Sequence, residues 1–122
     1  MKTIIVATDF SGAALNATDY AADMAMVIQA DLLLVHIYEI PVTYLEIPVA
    51  IEADETRVNA EESLSLLKEK IIKRTNGNLN IGSRFEVGPF FPVLKSICED
   101  IRPYAVIMGS QGTTAAKRVL FG

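Results

Sequence analysis

The sequence predicts an α/β fold: an open, doubly wound, mostly parallel sheet with helices on both faces. Two observations predict it. Short apolar runs alternate along the chain with longer segments in which apolar residues recur every three or four positions. The order is strand–helix–strand–helix–strand–helix–strand, which calls for parallel pairing with crossover helices. Second, Leu32-Leu33-Leu34-Val35 is continuously apolar, as a strand covered on both faces must be. Right-handed crossovers leave only a few doubly wound topologies.

The bulk properties agree with one domain of this kind. The chain has 122 residues, enough for a single core, and is 51% hydrophobic but only 7% aromatic. The core is therefore aliphatic. The net charge is −4 and no cluster of Lys and Arg interrupts it, which argues against a nucleic-acid partner. No apolar run approaches the roughly 20 residues that span a bilayer. The strand pattern begins at once, without a signal peptide, and the lone Cys98 excludes an internal disulfide. A soluble, cytoplasmic domain is expected.

Taken in order, Thr3–Thr8 reads as a buried strand, followed by Asp9. Ser11 offers an N-cap oxygen to a helix beginning near Ala13. Its apolar stripe is Ala14, Ala17, Ala21, Met24, Ala25 and Ile28. Asp31–Tyr38 is the second strand. Residues Glu39–Ala53 contain Pro41 and Pro48 and read as a long connection whose apolar residues need covering, by the domain itself or by a protein partner. Asp54 can cap a helix to about Thr75, with Ala60, Leu64, Leu67 and Ile71 on one face, and Asn76-Gly77 stops it. Leu79, Ile81, Phe85 and Val87 alternate as in a half-buried edge strand. Gly88-Pro89 turns the chain, and Pro92 fits a first helical turn. Val93, Leu94, Ile97, Cys98 and Ile101 then form the apolar side of a third helix, ending before Pro103. Tyr104–Met108 is the last apolar strand, and a polar stretch with Lys117 and Arg118 leads to Gly122.

In sheets of this type ligands sit beyond the carboxyl ends of the strands, where strand order reverses. That directs attention to Ala7-Thr8-Asp9, to His36-Ile37 and to the segment after Met108. Gly109, Gly112 and Gly122 are separated by two residues and then nine. Glycines after a strand let main-chain N–H groups converge on phosphate oxygens, although turn chemistry also uses glycine. Asp9, just after the first strand, can begin the turn into the helix. His36 is the single histidine and has no sequence partner for a metal site or a triad, so it reads as structural. Cys98 reads as a small hydrophobe. Lys117 and Arg118 suit either phosphates or solvent. There is no Gly-x-Gly-x-x-Gly after the first strand, no Gly-Lys-Ser or Gly-Lys-Thr, and no paired Cys or His spacing.

Three motifs carry a resemblance: Ile4-Ile5-Val6-Ala7-Thr8-Asp9-Phe10-Ser11, Leu34-Val35-His36-Ile37, and Val106-Ile107-Met108-Gly109-Ser110-Gln111-Gly112 with Gly122 nine residues on. Together they are similar to the universal stress protein family over the whole chain. The resemblance implies strand order 3-2-1-4-5. Since the family's glycine pattern continues with Ser or Thr, a further helix and a fifth strand, the expectation here is a domain over 1–122 with order 3-2-1-4 and the fifth strand absent. It also implies bound ATP, with or without Mg2+. Asp9 would then take the ribose hydroxyls, and Ala7, Thr8 and the main chain of Ile37 would flank the adenine. Met108, Gly109, Gly112 and Gly122 would line the ribose and phosphates. Three functions follow: a nucleotide-binding regulatory module of a stress response, forming a homodimer; an interaction or dimerisation module without nucleotide, using residues 39–53; or, last, a slow ATPase with Asp9 as its only candidate base.

Overall fold

The computed structural model describes residues 2–39, 50–109 and 118–121. Among them the elements follow as β1 (Thr3–Ala7), α1 (Gly12–Ile28), β2 (Asp31–Tyr38), α2 (Ala50–Arg74), β3 (Ile81–Val87), α3 (Phe90–Ile101), β4 (Ala105–Met108) and β5 (Arg118–Phe121). The sheet order is β3-β2-β1-β4-β5. The four strands foreseen pair in parallel in the predicted order 3-2-1-4.

The fifth position corrects the expectation of an absent strand. Arg118–Phe121 runs antiparallel along β4, with Ala105 opposite Phe121 and Met108 opposite Arg118. Lys117 and Arg118 make this stretch read as polar from the sequence. Four residues carry too little periodicity to announce a strand, yet an edge of unpaired N–H and C=O groups accepts any extended segment that reaches it.

Strand alternation divides the core in two. Ile4, Val6, Leu32, Leu34, Ile81 and Ile107 lie under α1 and α2, with Leu64, Leu67 and Ile71. Ile5, Ala7, Val35, Ile37 and Val106 face the other way, onto Leu94 and Ile97 of α3. β1 is thus buried on both sides, which is why its sequence does not alternate.

The helices follow local chemistry. Ser11 caps α1, its Oγ accepting from the Ala14 N–H at 3.2 Å. The inner face of α1 is Ala14, Ala17, Thr18, Ala21, Ala22 and Ala25. The Thr18 hydroxyl is satisfied by donating to the Ala14 carbonyl at 2.9 Å, so burying it leaves no unpaired polar atom. α2 begins at Ala50, not at Asp54, which falls inside the helix. Ala50-Ile51-Glu52-Ala53 contains no helix breaker, and Ala and Glu favour helix, so an internal Asp need not be the cap. Residues 40–49 of the expected long connection lie outside the described residues. Asn76 and Gly77 both take positive φ, 54° and 72°, at the stop foreseen there. α3 ends with Arg102 left-handed before Pro103.

Candidate functional site

The carboxyl end of β1 is the centre of the sheet and the point where strand order reverses. Ala7 pairs with Val35 of β2 on one side and Met108 of β4 on the other. Register therefore gathers Ala7, Thr8, Asp9, Ile37, Met108 and Gly109 along one rim. Gly112 and Gly122 lie outside the described residues.

From Thr8 the chain turns into α1, and three polar side chains stitch the turn to its own backbone. Thr8 Oγ1 accepts from the Phe10 N–H at 3.0 Å, Asp9 Oδ1 from the Ser11 N–H at 2.9 Å, and Ser11 Oγ caps α1. Phe10 sits left-handed at φ 64°, which is costly for a residue with a bulky side chain. Asp9 is exposed, and one bond to Ser11 leaves its other oxygen without a partner among the described residues. It thus begins the turn and still presents a carboxylate to solvent.

The end of the β1–β2 ladder is unusual. Thr8 N–H donates to the Val35 carbonyl at 2.9 Å, so the next rung of a parallel ladder would run from Ile37 N–H to the Thr8 carbonyl. His36 takes that carbonyl instead. Its Nδ1 lies 2.8 Å from Thr8 O, and because a carbonyl only accepts, Nδ1 carries the proton. Ile37 shares the alternation of Val35, so its N–H and C=O face β1 beyond the last paired residue. Among the described residues neither has a partner. The His36 ring is held between Phe10, centroids 4.6 Å apart, and Phe85 of β3, 5.6 Å apart.

Gly109 is buried and answers first to packing. A Cβ there would lie 2.3 Å from the Ala13 carbonyl oxygen and 2.7 Å from its carbon. Only glycine lets the start of α1 rest on the end of β4. The contact brings a helix N-terminus, with its partial positive charge and no acidic residue in its first turn, to the rim. The sequence suggests Gly109 for main-chain approach to a ligand; in the structure the close approach is to the start of α1.

Sequence reasoning missed the parts played by Phe10 and His36. A left-handed φ leaves no mark on a phenylalanine, and a histidine bonded to a carbonyl 28 residues away has no partner near it in sequence. No group of three or more His, Cys, Asp or Glu side chains among the described residues could hold a metal ion. None of the described helices is long and apolar enough to cross a membrane. Cys98, half-buried on α3, has its thiol pushed up by desolvation, in keeping with an inert packing role.

Comparison with known proteins bears on this arrangement. A universal stress protein family member from Burkholderia pseudomallei superposes with a TM-score of 0.74 at 22% identity, over 89% of this chain and 81% of that one. UspA from Lactobacillus plantarum gives 0.75 at 19% identity, over 99% and 85%. A universal stress protein in complex with cAMP gives 0.60 at 17% identity, over 88% and 71%. No curated protein matches the sequence. The profile of the Universal stress protein family matches residues 1–122, and the chain belongs to that family.

Proposed function

We propose that this chain is a regulatory domain that binds an adenine nucleotide, ATP with or without Mg2+, across the carboxyl ends of β1 and β4. The observation that carries this reading is the register that sets Ala7-Thr8-Asp9, the open main chain of Ile37 and Met108-Gly109 on one rim at the strand-order reversal. The Ile37 N–H and C=O, unpaired among the described residues, match the acceptor and donor on an adenine edge. Asp9 offers an exposed carboxylate to a ribose diol. The start of α1 beside Gly109 suits phosphate oxygens, with the amides of Gly112 and Gly122 as their further donors. A fold relative holds cAMP, so this architecture accommodates an adenine nucleotide. The role is binding rather than catalysis, in a cytoplasmic homodimer serving a stress response.

The test is thermal unfolding with and without millimolar ATP and Mg2+. Binding to the folded state alone stabilises by about 2.7 kcal/mol at a hundredfold excess over Kd. The expected result is a rise in midpoint that is lost in Asp9→Ala. No rise at any accessible ATP concentration would remove the nucleotide reading and leave the interaction module without nucleotide in its place.

A further inference from the structure

The His36 ring does something that packing alone does not require. It caps the end of the β1–β2 ladder in place of a main-chain donor. The next rung would otherwise consume the Ile37 N–H on the Thr8 carbonyl. With Nδ1–H at 2.8 Å from that oxygen, the carbonyl is satisfied and Ile37 is spared. The same ring lies against Phe10, whose left-handed backbone must be held by its surroundings. Phe10 N–H in turn donates to Thr8 Oγ1, and the adjoining Ser11 N–H donates to Asp9. One side chain on β2 therefore reaches two of the groups set out for the ligand: it frees Ile37 and braces the turn that carries Asp9. Phe85 of β3 also packs near the ring, its centroid 5.6 Å away.

We propose that His36 is a positioning residue of the nucleotide site, its Nδ1–H holding the Thr8 carbonyl so that the Ile37 N–H stays open and Asp9 stays presented. The inference rests on the nucleotide reading above. Losing the bond lets Ile37 close the rung or lets the turn relax. Either change lowers the fraction of molecules competent to bind, and apparent Kd rises in inverse proportion.

Two variants of equal polarity separate this role from packing. His36→Asn places an N–H donor near the position of Nδ1, whereas His36→Gln carries it one bond further, near Nε2. Both lose the ring, so a purely structural role would weaken them alike. Affinity for ATP with Mg2+ is measured by calorimetry for wild type, H36N and H36Q. H36N is expected to bind within about twofold of wild type and H36Q about tenfold more weakly, the scale of a lost buried hydrogen bond. Equal Kd values in the two variants would overturn the proposal. So would a wild-type 15N spectrum showing His36 protonated on Nε2 and bare on Nδ1. If the wild type binds no ATP, the nucleotide reading fails by itself. Amide exchange at Phe10, Ser11 and Ile37 then decides the positioning role: Phe10 and Ser11 protected in H36N but not in H36Q, with Ile37 exchanging freely in H36N, supports it, and the same pattern in both refutes it.

Discussion

Replacing Gly109 by alanine tests the contact that brings α1 to the rim. An added Cβ would stand 2.3 Å from the Ala13 oxygen, 2.7 Å from its carbon and 3.1 Å from the Ala14 nitrogen. Ordinary contact needs about 3.4 Å, so the start of α1 must withdraw from β4 by roughly 1 Å. The obstacle is helix backbone, which cannot swing aside as a side chain can. Overpacking of this kind costs about 1–3 kcal/mol, and a main-chain obstacle argues for the upper end. For a chain of this length about 3 kcal/mol lowers Tm by roughly 10 °C. Circular dichroism melts of wild type, Gly109→Ala and Gly12→Ala provide the comparison. A Cβ at Gly12 meets nothing within 4 Å, and alanine at the first position of a helix is neutral to favourable. A Gly109→Ala midpoint within about 2 °C of wild type would refute the claim that α1 rests on Gly109.

Ser11→Ala removes the α1 cap and is expected to cost about 1 kcal/mol in urea unfolding, with an unchanged m-value. A larger loss would mean that the cap also holds the Thr8–Ser11 turn. Because burial pushes the Cys98 thiol up, a smaller share of it is thiolate at any pH than in the unfolded chain. Alkylation of the native protein by iodoacetamide should therefore lag well behind alkylation in denaturant, with the ratio of rates largest below the ordinary thiol range and narrowing as pH rises through it; equal rates would show that Cys98 is not shielded.

Much of the framework was legible because it depends on period. The alanine stripe of α1, the unbroken Leu32–Val35 run and the Asn76-Gly77 stop each state their structure in a few neighbouring residues. Asp54 misled because a good cap residue is equally at home inside a helix once the preceding residues favour helix. β5 escaped because its pairing is decided by the open edge of β4 and not by its own four residues. At the rim, Asp9 and Gly109 could be singled out from their places just after strands, and Ile37 from its place near the end of one. What could not be read was the substitution of a ring for a rung. His36 and Thr8 meet only after β1 and β2 pair, and nothing in either segment names the other.

Ala7 pairs with Val35 and Met108, so the two walls beside it come from positions about seventy residues apart, the further one about a hundred residues from Ala7 itself. Such a rim forms late. Parallel pairing between distant segments is slow, because loop closure must precede the contacts that repay it. During synthesis β1, α1 and β2 emerge early and can associate, but no chain that stops short of Met108 has the β4 side of the crevice. A ligand held there grips both ends of the sequence at once. Its occupancy reports that the last parallel strand has docked, and each bound molecule withdraws one finished domain from the pool that can still open and misassociate.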